Sequence, residues 1–565
     1  YTFRHVSATG EYTAFLSGLR DNPSTTGDGV YRWSAAAGVA NVARLGQAAP
    51  DNGGTFNRFD HTHVTSSGGV AFEGQSRSGS NSYRGIYYKP ADGPLRRLMR
   101  GGLDGLDGYA AWTINDAGQA AILATAPIVQ YRILFHDGNA LSTIAQGGIY
   151  SPPALNNSGD IAYSTNAIFL RSGASGTIAR VVGEHDAAPG GGTIGYVSAP
   201  AINDAGQIAF HARLSDDRSG IYRTDAAGNT VLIARSDQAA PEGGGALGEL
   251  TPVRGYKPNS FNSSHWAMPP AIAPGGQVAF MAYSADGIDA EAGIYLGDPS
   301  EVLFLTRWGH TLDGGVVTDF KLPPSNSFSF PSAKPLTVNE QGQIAMTVQL
   351  ADGQTTTQLF TPTLHWRSAT SGTWSDSANW TVGLAPAEVH PVIIDSPHGV
   401  IVTTPAGETK IKSLEVGVGN KLTLTTGSDL IVSSGGFVNI AGALAGSGTI
   451  TGNVTNAGVI APGNSAGAIT IDGDYLQSGR LDLELLDGGF DQLIVTGDAI
   501  LGGDVFVLGS AAVGDTFSFF TADNIIDNAT WHLPGESTMQ IVSLPSGQQG
   551  VQMTNVPETA GMRVA

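Results

Sequence analysis

The sequence predicts an all-β chain in two parts, a seven-bladed β-propeller over residues 1–366 and a parallel β-helix or β-solenoid over 367–535, with a C-terminal strand and tail at 536–565. Three observations predict this. A short turn phrase recurs seven times in the first part. Each copy is followed by two or three short β-branched or aromatic runs, with no competing 3.6-residue periodicity. Beyond Trp366 the composition shifts to a ladder of two- to five-residue aliphatic runs between Gly, Asn and Asp turns. At 565 residues the chain is too long for a single core, so at least two domains are expected.

The turn phrase reads Ile114-Asn-Asp-Ala-Gly118-Gln-Ala-Ala121, Leu155-Asn-Asn-Ser-Gly159-Asp-Ile-Ala162, Ile202-Asn-Asp-Ala-Gly206-Gln-Ile-Ala209-Phe210 and Val338-Asn-Glu-Gln-Gly342-Gln-Ile-Ala345. Looser copies surround Gly10, Gly68 and Gly276. Asn or Asp accepts local backbone hydrogen bonds, Gly takes the positive-φ position, and an apolar pair starts the next strand. About one strand further on comes an aromatic: Tyr31, Tyr87, Phe135, Phe169, Tyr222, Tyr295 and Phe360. Three to four strands per unit of this length is a blade signature, and seven copies suit a ring. Every motif Asn, Gly and Ala-Phe is expected to be structural.

The Asn-x-x-Gly-x-x-Ala-Phe phrase resembles the tandem-repeat family of exported bacterial proteins named for that motif, whose members differ in how the C-terminus anchors to the cell. The resemblance implies export and surface display, and carries no catalytic residues. In the second part, Gly372-Thr-Trp374-Ser-Asp376-Ser-Ala-Asn379-Trp380 resembles the segment that opens the β-helical passenger regions of autotransporters. Ile460-Ala-Pro-Gly-Asn-Ser465 and Asp491-Gln-Leu-Ile-Val495 are similar to the later coils of those passengers. The tail Asn555-Val-Pro-Glu558 resembles the start of a Pro-Glu-Pro sorting signal without its apolar segment or Arg cluster.

Composition narrows the function. With no Cys, disulfides, thiolate metal sites and Cys nucleophiles are excluded. The formal charge is −20, which argues against nucleic acid. Residues 367–565 hold 6 Lys/Arg and 19 Asp/Glu, so an anionic ligand would meet the N-terminal part. No run of 18 apolar residues spans a membrane. The chain opens at Tyr1, which reads as a mature exported product whose signal peptide has been removed. Gly-x-Ser-x-Gly, phosphate-loop and His-Glu-x-x-His motifs are all lacking.

Candidate site residues lie in the loops before the motif strands. These are Arg58, Asp60, His61 and His63 in one loop, and Arg254, Tyr256, Lys257, His265 and Trp266 in another. A third loop holds Phe328, and Tyr109, Tyr150 and Tyr196 occupy similar positions between. Arg58, Arg254, Tyr256, Lys257, Trp266 and Phe328 suit sugar stacking and carboxylate recognition. His61, His63, His265 and Tyr256 are the candidates for acid–base chemistry, as in a polysaccharide lyase. Asp60, His61 and His63 could hold a metal. The expected protein is extracellular or cell-surface and non-enzymatic. Its propeller would bind a polysaccharide or surface protein, and its solenoid would act as a spacer or self-associating element. No cofactor is expected beyond calcium on exposed acids. The alternatives are a propeller-fold lyase and a matrix or filament subunit.

Overall fold

The computed structural model describes residues 4–6, 11–17, 29–51, 53–103, 105–127, 130–149, 151–241, 243, 245–250, 269–284, 292–312, 315–320, 336–463, 466–486, 489–509, 512 and 514–554. The chain divides into two compact units, Tyr1–Phe360 and Thr361–Ala565. Among the described residues no helix is long and apolar enough to cross a membrane.

The first unit is a seven-bladed β-propeller built from seven separate antiparallel sheets in chain order. Blade 2 shows the pattern: Thr55–Val64, Val70–Ser78, Asn81–Lys89 and Arg96–Arg100 pair as successive neighbours. Blade 3 repeats it with Gly108–Ile114, Ala120–Ala126, Gln130–His136 and Leu141–Gln146. Among the described residues no strand of one blade completes the sheet of another.

The recurring aromatics have a packing reason. The motif Phe or Tyr lies opposite the aromatic of the next strand, and the two rings stack. Phe15–Tyr31, Tyr163–Phe169, Phe210–Tyr222 and Phe280–Tyr295 have centroids 5.6 Å apart, and Phe72–Tyr87 5.7 Å. Blade 3 departs from the expected pattern. There Leu134 lies opposite Ile122, and Phe135, one residue later and opposite Ala121, points to the other face of the sheet.

The motif Asn residues tie blade to blade. The Asn115 amide donates to the Asn156 carbonyl at 3.0 Å, Asn156 to Asn203 at 3.1 Å, and Asn203 to Ala273 at 2.9 Å. The next motif residue adds a second tie. The Asp116 carboxylate accepts from the Ser66 N–H, Asn157 Oδ1 from Asp116 N–H, and Asp204 from Asn157 N–H. A repeat that is local in sequence thus closes the gaps between non-local elements, and blade 6, with Ala273 in the Asn position, donates no such bond.

Gly206 sits at φ 74°, with only Ala226 Cβ near the place a side chain would occupy. Gly206→Val therefore meets backbone strain rather than a clash and is expected to cost about 2 kcal/mol. Asp204→Ala removes hydrogen bonds at an exposed position and should cost about 1 kcal/mol. Thermal melts of the two variants check the order; equal shifts would remove the turn argument.

The second unit is a solenoid of short parallel strands. One eight-stranded sheet runs Leu364–His365, Pro391–Ile394, Ser413–Val416, Val438–Ile440, Val454–Asn456, Tyr475–Gln477, Ala499–Leu501 and Ile525–Asp527. Alternate side chains point inward: Leu414, Val438, Val454, Tyr475 and Ala499 stack in register. Two inward positions are polar. Asn456 donates to the Tyr475 hydroxyl at 3.2 Å, which donates to Gln477 at 2.8 Å, and Gln477 in turn donates to the Gly502 carbonyl. At the start of the unit Trp366, Trp374 and Trp380 form a buried aromatic cluster. Near its end Thr538–Ser543 and Gln549–Thr554 form an antiparallel hairpin on Thr516–Ala522.

Candidate functional site

The position after the motif Ala-Phe is filled by Leu16, Glu73, Leu123, Ser164, His211, Met281 and Thr347 in the seven blades. Two of these are ionisable, and both are buried. Burial of a charge demands partners. Around Glu73 the partners come from two blades, and His61 and the adjoining Tyr109 are two of the residues expected from the sequence.

Glu73 is 3% exposed. Its Oε1 accepts from Trp112 Nε1 of blade 3 at 2.9 Å and lies 3.6 Å from His61 Nδ1. Its Oε2 accepts from Arg84 Nη2 at 2.9 Å. The Arg84 guanidinium lies 5.4 Å from the centre of the Tyr109 ring, within reach of a cation–π contact. Nearby, Arg58 donates to the Asp60 carboxylate at 2.8 Å and is largely exposed.

Local backbone geometry aims the histidine. Asp60 pairs with Glu73 and Thr62 with Phe72, so His61 is an extra residue with no partner in the register. It adopts φ 30°, a conformation costly for any residue other than Gly. Such a bulge redirects a side chain at the expense of strain. His63 pairs with Ala71 further along the strand. Among the described residues no group of three His, Asp or Glu is placed to hold a metal ion.

Electrostatics follow from the contacts. Burial alone would push the Glu73 carboxyl up, but His61, the Trp112 N–H and Arg84 together hold it below its usual 4.5. The bond to Glu73 raises His61 above 6.5 despite its own burial. Burial and the Glu73 charge push the Tyr109 hydroxyl well above 10. Tyr109 thus keeps its proton at neutral pH, and the cluster's one central carboxylate is already engaged. The arrangement presents hydrogen-bond donors and positive charge, which suits binding an anion better than abstracting a proton.

The charge of the surrounding blade agrees. Residues 55–100 contain seven Lys/Arg against three Asp/Glu, in a chain whose net charge is −20. Glu73, Arg84 and Trp112 were not among the sequence candidates. The legible signal was a carboxylate in an otherwise apolar or neutral column of the repeat. Arg254, Tyr256, Lys257, His265, Trp266 and Phe328 lie outside the described residues, as do Tyr150 and the tail Asn555–Glu558. Tyr196, in Ile194–Val197 of blade 5, pairs with Arg213.

His211 is the second ionisable group of that column. It is fully enclosed, neither ring nitrogen has a hydrogen-bond partner, and burial with the Arg213 charge pushes its pKa down to about 4. Because the unfolded chain protonates near 6.5, stability is expected to fall as pH drops from 6.5 towards 4, by about 3 kcal/mol. His211→Met, which copies blade 6, should flatten that part of the urea-midpoint profile. An unchanged acid slope would exclude His211 as its source.

Fold and site together define a propeller–solenoid protein with a cationic, aromatic cluster between two blades. The sequence model of a family of unknown function (DUF7453) matches residues 4–138 and 154–253. No curated protein matches. Among solved structures, an oligogalacturonate lyase in complex with manganese aligns at 12% identity, covering 63% of this chain and 88% of that one, with a TM-score of 0.38. The β-propeller domain of the trilobed protease from Pyrococcus furiosus aligns at 11% identity, 64% and 95% coverage, and a TM-score of 0.36. A variant of the Aleuria aurantia lectin, in complex with Fucα1-6GlcNAc, aligns at 12% identity, 58% and 94% coverage, and 0.27. Values this low carry no inference about chemistry.

Proposed function

We propose that the propeller is a binding module for a carboxylate-bearing polysaccharide at the bacterial cell surface, with the solenoid as its spacer or assembly element. One observation supports this most: Glu73 is buried, yet it fixes Arg84 and His61 at a partly open site within a net-positive blade. A guanidinium has five N–H donors, and Glu73 accepts from one of those on Arg84. Arg84 is 56% exposed and Arg58 62%, so both reach solvent where an anionic sugar can approach. Paired donors to a carboxylate give both strength and orientation. The surface location rests on the motif resemblance and on the lack of Cys.

Retention on immobilised polygalacturonate, compared with neutral dextran, tests the reading. Wild-type protein should be retained on the acidic polymer alone, and added salt should release it. Arg84→Gln and Arg58→Gln should each weaken retention about tenfold, the worth of one charge-assisted hydrogen bond. Equal retention on dextran, or variants that bind like wild type, would sink the proposal. The lyase alternative predicts ultraviolet absorbance from unsaturated chain ends during the same incubation.

A further inference from the structure

A concavity lies between the outer strands of the same two blades. It is a cleft of about 470 Å3 between Arg96–Arg100 of blade 2 and Gln130–His136 and Leu141–Gln146 of blade 3. Sites for small molecules span about 300–1,000 Å3. Leu98, Met99, Leu106 and Leu134 back the cleft but are almost fully buried, so the wall it presents to solvent is mostly polar. Arg97, His136, Asn139 and Asp51 supply polar groups around it.

Two of these groups suit a carboxylate. His136 Nδ1 accepts the Gly138 N–H at 3.1 Å, so the neutral ring carries its proton on Nε2 as a donor. Burial and the nearby Arg96 charge lower the His136 pKa, which keeps the ring in that neutral form. Arg97 lies 3.5 Å from Asp51, whose side chain is 60% exposed. An ion pair this open is worth at most about 1 kcal/mol, and a ligand carboxylate can replace it. A sugar acid offers hydroxyls and a carboxylate, which suit a mostly polar wall.

We infer that this cleft is a second binding site, specific for a uronic acid disaccharide, with the ligand carboxylate on Arg97 and the Nε2–H of His136. The choice of ligand class rests on the proposed polysaccharide reading, while the cleft itself does not. Calorimetric titration of the full chain with digalacturonate and with neutral cellobiose tests it, alongside polygalacturonate retention. Digalacturonate should bind and cellobiose should not. Arg97→Gln and Asn139→Asp should each weaken digalacturonate at least tenfold, the second by repulsion from the rim, while polymer retention through Arg84 persists. Digalacturonate that fails to bind, binds both variants like wild type, or is matched by cellobiose overturns the inference. Retention lost in the wild type alongside Arg97-dependent disaccharide binding would instead sink the polysaccharide reading and leave the cleft standing.

Discussion

Glu73→Ala is expected to abolish binding to acidic polysaccharide and to destabilise the propeller by about 3–4 kcal/mol. The substitution leaves the Trp112 indole N–H without its acceptor in a buried place. It also leaves His61 in a strained backbone conformation with no carboxylate to hold. Removing one partner of a buried charge cluster typically costs about 3–5 kcal/mol. The lower end applies because Arg84 is half exposed and can turn to water. Glu73→Gln separates fold from function. Gln can still accept from Trp112, so the melt should be nearly restored while the charge that fixes His61 and Arg84 is lost.

The pH profile carries the sign of this cluster. Glu73 titrates below 4.5 in the folded protein, so its stabilisation is complete above 4.5 and fades as pH falls through the folded value. His61 titrates above 6.5, so its share is complete below 6.5 and fades as pH rises through the folded value. The stability difference between wild type and Glu73→Gln should therefore be greatest between pH 4.5 and 6.5. The buried His211 by itself makes stability rise with pH over that range, which is why the difference, not the wild-type profile, is the quantity to measure. A difference that stays unchanged from well below pH 4.5 to well above pH 6.5 would remove the His61–Glu73 ion pair from the account.

Trp380→Ala is expected to cost the solenoid unit about 4–5 kcal/mol, near the upper limit for a buried aromatic. Trp380 has no exposed surface. Its ring meets Trp366 and Trp374 edge-on, each with a centroid separation of 5.0 Å, and its Nε1 donates to the Trp374 carbonyl at 2.7 Å. The deletion removes packing on two sides and strands a carbonyl. Because each coil of a solenoid leans on its neighbour, loss at the first coil should spread along the unit. Urea unfolding followed by fluorescence should show a shifted solenoid transition and an unshifted propeller transition. A single transition moving as one would refute independent units.

Legibility followed the range of the interactions. The seven turn phrases could be read because each is closed within about five residues: Asn115 bonds Gln119, Asn156 bonds Asp160, and the Gly between them takes positive φ. Inward positions of the solenoid could be read because strand alternation is set one residue at a time. The stacked aromatics were partly legible. Their recurrence was plain, but Phe135 falls one residue past the position opposite Ile122 and so faces the other side of the sheet, an offset that the variable hairpin lengths hide.

The site was legible only in part. Arg58, Asp60 and His61 stood out as a polar segment before a motif strand, and Tyr109 by analogy. Glu73 reads as one more strand residue until its partners are known, and Trp112 lies 39 residues away on another blade. The sequence by itself determined the class of fold, the number of blades and the turn chemistry, since these depend on local conformational preference and period. Tertiary structure alone decided that a strand carboxylate, a bulged histidine, an arginine and an indole should meet. That meeting depends on register, on a bulge and on which blade packs beside which, and none of these is encoded in any short stretch of chain.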